Sequence, residues 1–226
     1  VRRLLLNKFE LGLFEAALVD EQAIPVLVKT PEYVAAGLKA QRKSIVLLNN
    51  KMADALALPI TRDTKIFVDG LDPEQAKALG QVVNSAEQAD VIIFYLPTIF
   101  NGNQDPGSDK FIDKLLSSIL PDSNLAFNAE VLNKAQAYSE IATLITVVDL
   151  NRPAILTELN QLSHGLIGTF GVYDSVLFEM IFGQFSPQGK LPFEIPSSMS
   201  AVRAQQEDMP DDSVGPTFTF GHGLSY

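Results

Sequence analysis

Side chains able to move protons or grip hydroxyl groups gather in a few short stretches, each at the end of an apolar run. Asp69 and Asp72 follow residues 65–68, while Asn101, Asn103, Gln104, Asp105 and Asp109 follow residues 91–96. Asn151 and Arg152 follow residues 144–150, and Tyr173 with Asp174 follows residues 166–170. A carboxylate such as Asp105 or Asp109 can shuttle a proton. The Arg152 guanidinium donates hydrogen bonds in a rigid fork, and Tyr173 offers a flat ring for stacking. Each also has a plainer reading. Asp105 suits the cap of a turn and Asp109 the cap of a following helix. Arg152 suits an ion pair with Asp149. Tyr173 and Asp174 suit the start of a helix, where the helix dipole favours an acid.

Other chemistries find less support. His164 and His222 are the only histidines, far apart and without a metal-binding spacing, so no metal site is expected. The absence of cysteine excludes disulfides, thiolate catalysis and cysteine-ligated metals. Nothing resembles a G-x-S-x-G elbow. Neither G-x-G-x-x-G nor G-x-x-x-x-G-K-[ST] follows a strand-like run, so no phosphate cradle and no cofactor are expected. Asp69 stands at a strand end as the acid of a phospho-receiver domain does, but the companion acids and the lysine pattern are missing.

The elements that must position these residues follow from the hydrophobic periodicity. Leu4, Leu5, Phe9 and Leu13 mark an amphipathic helix near the start, followed by an irregular connector, and Pro31 opens a helix to about residue 43. Short apolar runs at 45–48, 65–68, 91–96, 144–150 and 166–170 fit strands buried on both faces. Helical stretches at 73–88, 109–120, 127–141, 154–162 and 173–182 alternate with them. That alternation predicts an α/β fold with a mostly parallel, doubly wound sheet. Ligands of such sheets sit beyond the carboxyl ends of the strands, where the polar stretches fall. The tail from 186 to 226 is expected to wrap over the sheet in extended form.

With 226 residues, the chain is long enough for one large core. Its net charge of −10 disfavours nucleic acid and anionic membranes as partners. No apolar run reaches the roughly 18 residues of a membrane span. The chain opens at Val1 inside the amphipathic pattern, and a piece of a longer chain is therefore expected.

Several segments, in order, resemble a known family. Phe220-Gly221-His222-Gly223-Leu224-Ser225-Tyr226 is similar to the motif closing the second domain of family 3 glycoside hydrolases, the β-glucosidase and exo-glucanase group. Ser44-Ile45-Val46-Leu47-Leu48-Asn49-Asn50 resembles the family's S-I-V-L-L-K-N strand, with Asn49 where lysine is usual. Phe182-Gly183-Gln184-Phe185-Ser186-Pro187-Gln188-Gly189-Lys190-Leu191-Pro192 resembles its F-G-x-x-N-P-x-G-K-L-P segment. Residues 1–15 are similar to the stretch that leaves the catalytic barrel. The resemblance implies a six-stranded α/β sandwich with flavodoxin-like layers, in which residues 1–30 end a barrel domain or linker and 31–226 form the C-terminal domain. It implies hydrolysis of β-glucosides or short β-glucans with retention, an N-terminal barrel as partner carrying the nucleophilic aspartate, and a periplasmic or secreted location. The family's acid/base is commonly a glutamate in the second domain. Here Asp105 is the nearest equivalent, and Asp109, Arg152 and Tyr173 are candidate carbohydrate contacts. Alternatives are a module that braces the barrel or binds sugar without catalysing, an N-acetylhexosaminidase of the same family, and, on strand order alone, a flavodoxin-like binding protein.

Overall fold

The structure is a computed structural model and describes residues 1–15, 18, 20–28, 30–51, 55–99, 124–206, 208, 209 and 211–226. The chain divides into two compact units, Val1–Lys39 and Ala40–Tyr226. The first contains helices α1 (Arg2–Glu10) and α2 (Ile24–Val28), neither with a buried residue. Helix α3 (Pro31–Ser44) begins in the first unit and ends in the second, with Pro31 in its first turn as expected.

The second unit is built on a six-stranded sheet in the order β1-β6-β5-β4-β2-β3. Its strands are β1 (Val46–Asn50), β2 (Lys65–Asp69), β3 (Gln81–Val82), β4 (Val91–Leu96), β5 (Thr143–Asp149) and β6 (Gly165–Thr169). All neighbours run parallel except β1, which lies antiparallel to β6 at one edge. Central strands β4, β5 and β6 and the edge strand β1 are buried along almost their whole length, which their continuous apolar runs require. Strand β2 is less covered, from exposed Lys65 to half-buried Asp69. Ile92, Leu144, Val148, Leu166 and Ile195 belong to one core cluster. Helix α5 (Ala129–Ile141) is capped by Asn128, whose side chain accepts from the Val131 amide at 3.0 Å. Helices α6 (Thr157–Leu162) and α7 (Asp174–Ile181) complete the alternation; α7 buries Val176, Leu177, Phe178, Met180 and Ile181.

Two expectations are corrected. The helix expected over 73–88 is only α4 (Pro73–Ala76), followed by β3 and a 3-10 turn at Ala86–Gln88. Its residue types favour helix, but tertiary contacts prevail over propensity. A Cβ on Gly80 would lie 2.4 Å from the Phe182 ring, so the chain passes flat against that side chain. Val82 then pairs with Ile66, and the Val83 amide donates to the Ile66 carbonyl at 2.9 Å, giving the sixth strand. The tail is not extended throughout. Ser198 caps a short helix, α8 (Met199–Ala204), by accepting from the Ala201 amide at 3.2 Å. The helix expected at 109–120 lies outside the described residues.

Candidate functional site at the carboxyl edge of the sheet

Strands β2, β4, β5 and β6 deliver Asp69, Leu96, Asp149 and Thr169 to one edge. The loops beyond them are tied to one another. After β5, Asp149 directs both carboxylate oxygens at Asn151, to its amide at 3.0 Å and its side-chain nitrogen at 3.1 Å. This is the local turn that aspartate favours. The Thr98 hydroxyl donates to the Asp149 carbonyl at 3.4 Å, and half-buried Arg152 donates to the Ile99 carbonyl at 3.2 Å. Arg152 thus joins the loop after β5 to the loop after β4.

After β6, Asp174 begins α7 and its carboxylate accepts from the Asp72 amide at 2.8 Å. Asp72 in turn caps α4, accepting from the Glu74 amide at 3.0 Å. The Tyr173 amide donates to the Gln41 side chain at 2.8 Å, while the Tyr173 side chain faces solvent on a residue 64% exposed. Tyr173 and Asp174 thus stand at the start of α7, as the plainer reading expected. Gly70, at φ +90°, lets the loop after β2 approach β4: a Cβ there would lie 2.8 Å from the Tyr95 carbonyl oxygen. Burial, then the nearby Asp149 and Asp174 carboxylates, raise the Tyr95 phenol above its ordinary range, so it stays neutral.

Asp69 is the exception along this edge. It accepts from the Lys134 ammonium at 2.7 Å and the Tyr138 hydroxyl at 3.0 Å, both carried by α5. Asp69 holds the Lys134 ammonium above its usual range, and burial raises the Tyr138 phenol. Lys134 also lies 5.3 Å over the Phe94 ring. Asp69 thus ties the end of β2 to α5. Sequence reading missed this cluster, although the i,i+4 spacing of Lys134 and Tyr138 places them on one helix face. It also missed Glu194, a buried carboxylate that accepts from the Gln205 side chain at 2.8 Å and the Ser213 amide at 2.7 Å. Asp105 and Asp109 lie outside the described residues. Among the described residues, no group of three or more His, Cys, Asp or Glu could hold a metal ion, and no helix is long and apolar enough to cross a membrane.

The motif residues gather elsewhere, on the outer side of β1. The Gly189 amide donates to the Ile45 carbonyl at 3.1 Å, and Leu224 to the Leu47 carbonyl at 2.7 Å. A bulge between Leu47 and Asn49 frees the Leu48 carbonyl. His222 Nε2 meets that oxygen at 2.8 Å, with its ring against Phe218. Buried Asn49 donates to the Ser163 carbonyl at 3.2 Å, and Asn50 holds the Leu58 backbone by both its amide donor and its acceptor. The Asn49, Asn50, Lys190 and His222 side chains are thus tied to main-chain groups within the fold.

Fold and edge together define an α/β sandwich domain with a polar carboxyl edge and a sheet sealed on its antiparallel side. Residues 76–226 match the glycosyl hydrolase family 3 C-terminal domain, and the chain belongs to that family. It is 36% identical over 228 residues to a probable beta-glucosidase C of Aspergillus flavus, covering 100% of this chain and 34% of that protein. It is 35% identical over 230 residues to a periplasmic beta-glucosidase/beta-xylosidase of Dickeya chrysanthemi, covering 100% of this chain and 33% of the relative. In fold it is similar to a beta-glucosidase from Listeria innocua, with a TM-score of 0.70 at 18% identity over 99% of this chain and 38% of that one. The chain thus spans about a third of the length of the curated relatives it matches. The resemblance read from the motifs and the six-stranded α/β sandwich it implied are both correct.

Proposed function

We propose that this chain serves as the second domain of a retaining β-glucosidase, forming one wall of a pocket whose other wall is a preceding barrel. The match of residues 76–226 to the family's C-terminal domain carries this reading. It is supported by relatives named as beta-glucosidases that align along the whole chain yet extend well beyond it. In this reading residues 1–30 end the barrel or its linker and residues 31–226 form the sandwich.

Retention requires two carboxyl groups about 5 Å apart. The barrel aspartate attacks the anomeric carbon while Asp105 protonates the departing glycosidic oxygen. Asp105, now a carboxylate, then takes a proton from the water that releases the sugar. Asp109 and Arg152 contact hydroxyl groups, and Tyr173 supplies a ring face. The bacterial relatives named periplasmic support a periplasmic or secreted location.

A second reading, a module that braces the barrel, is favoured by one observation: Arg152 donates to the Ile99 carbonyl and so serves loop structure. Chromophore release from aryl β-glucosides tests the half-enzyme reading. The purified chain is expected to show none. Turnover that survives repurification would contradict it, since both catalytic groups would then lie within these residues.

A further inference from the structure

Residues 217–226 run between two walls of main chain. On one side the Thr217 amide donates to the Ile195 carbonyl and the Ile195 amide to the Phe218 carbonyl, both at 2.8 Å. The Leu191 amide donates to the His222 carbonyl at 2.9 Å, and the Gly221 amide to the Leu191 carbonyl at 3.0 Å. On the other side Leu224 pairs with Leu47 of β1, the strand at the edge of the sheet. An edge strand left bare offers a template for any extended chain, and here the template is filled from within.

The grip also reads side chains. His222 supplies the donor that the bulged Leu48 carbonyl requires, and only a ring nitrogen bearing hydrogen can do so. At Gly223 a Cβ would lie 2.3 Å from the Gly189 carbonyl oxygen, so the position admits no side chain without a shift of backbone. Lys190 donates to the Gly223 carbonyl at 2.6 Å. The Tyr226 hydroxyl donates to the carbonyls of Met180 and Phe185, and burial pushes its pKa up to about 12. The Ser186 hydroxyl donates to the Tyr226 carbonyl at 2.7 Å. Just upstream, the Ser213 amide is held by Glu194 at 2.7 Å, while Val214 is 89% exposed and a Cβ at Gly215 would meet nothing within 4 Å.

We propose that residues 217–226 are a peptide ligand held in cis. The groove between β1 and residues 191–195 recognises this sequence and takes the same segment up in trans once the connecting loop is cut. The inference is independent of the proposed catalytic role.

The test inserts a protease site between Val214 and Gly215, where exposure favours tolerance of an insertion, and cuts the folded chain. The two pieces are expected to co-elute and melt in one transition. A fluorescent peptide of residues 217–226 is expected to exchange into the cut protein with saturable binding. The same peptide carrying Gly223→Val should compete at least about tenfold more weakly. Separation of the pieces on the column overturns the proposal, as does equal competition by the Gly223→Val peptide. In the uncut chain, hydrogen exchange gives an independent reading. The Gly221 and Leu224 amides should be protected like those of the β1–β6 ladder, and exchange as fast as at Val214 contradicts the grip.

Discussion

The antiparallel edge of the sheet and the carboxyl edge are built on opposite plans. Along β1, buried apolar side chains, close-passing glycines and main-chain hydrogen bonds from distant segments lock together, and the polar groups of His222, Asn49 and Asn50 all face inward to carbonyls. Along the carboxyl edge, Asp72, Asp149 and Asp174 brace the loops, while the Tyr173 ring stands in solvent and the Tyr95 phenol stays neutral beside two carboxylates. The residues that identify the family most sharply therefore serve folding. The polar residues of the carboxyl edge carry a weaker signature. A motif can be diagnostic of a family without touching its chemistry.

Perturbing the two edges should separate stability from activity. The largest effect on stability is expected from Leu47→Ala, which empties a fully buried site in β1. Urea unfolding should show a loss of about 2–5 kcal/mol. Gly189→Ala is next, because its Cβ would lie 2.4 Å from the Ile45 carbonyl oxygen. The expected loss is about 1–3 kcal/mol, and an unchanged midpoint would remove close approach as the reason for glycine there.

Tyr226→Phe should cost about 1 kcal/mol near neutrality through the lost hydroxyl. It also has a pH signature. The folded pKa of about 12 lies above the ordinary value, so folding favours the protonated phenol. That stability is fully present below about pH 10 and is lost as the pH rises towards 12. Tyr95 and Tyr138 shift in the same direction, so Tyr226→Phe should reduce the alkaline slope without abolishing it. At the other edge, Tyr173→Ala should change stability by less than about 0.5 kcal/mol, since its side chain faces solvent. A larger loss would show that the ring packs in the folded chain.

The sequence made the strands legible because each buried strand is a short apolar run, and it made the carboxyl-edge loops legible because polar residues follow those runs. It hid β3, whose pairing of Val82 with Ile66 depends on a neighbour and not on local pattern. It also hid the pairing of Asp69 with Lys134 and Tyr138, because those partners come from separate elements. The glycines of the closing motif were legible as turn formers, and Gly221 has the positive φ that role needs. Gly223 serves a different end, the close passage of Gly189, which no local rule reveals.

The most direct test places Asp105→Asn in the complete enzyme and compares kcat/KM on an aryl β-glucoside with the unfolding midpoint of the same protein. A fall of about 10²–10⁴ with the midpoint unchanged is the predicted result, in keeping with removal of a general acid/base. Activity within a few-fold of the parent would contradict the catalytic role proposed for this domain and leave it as a brace.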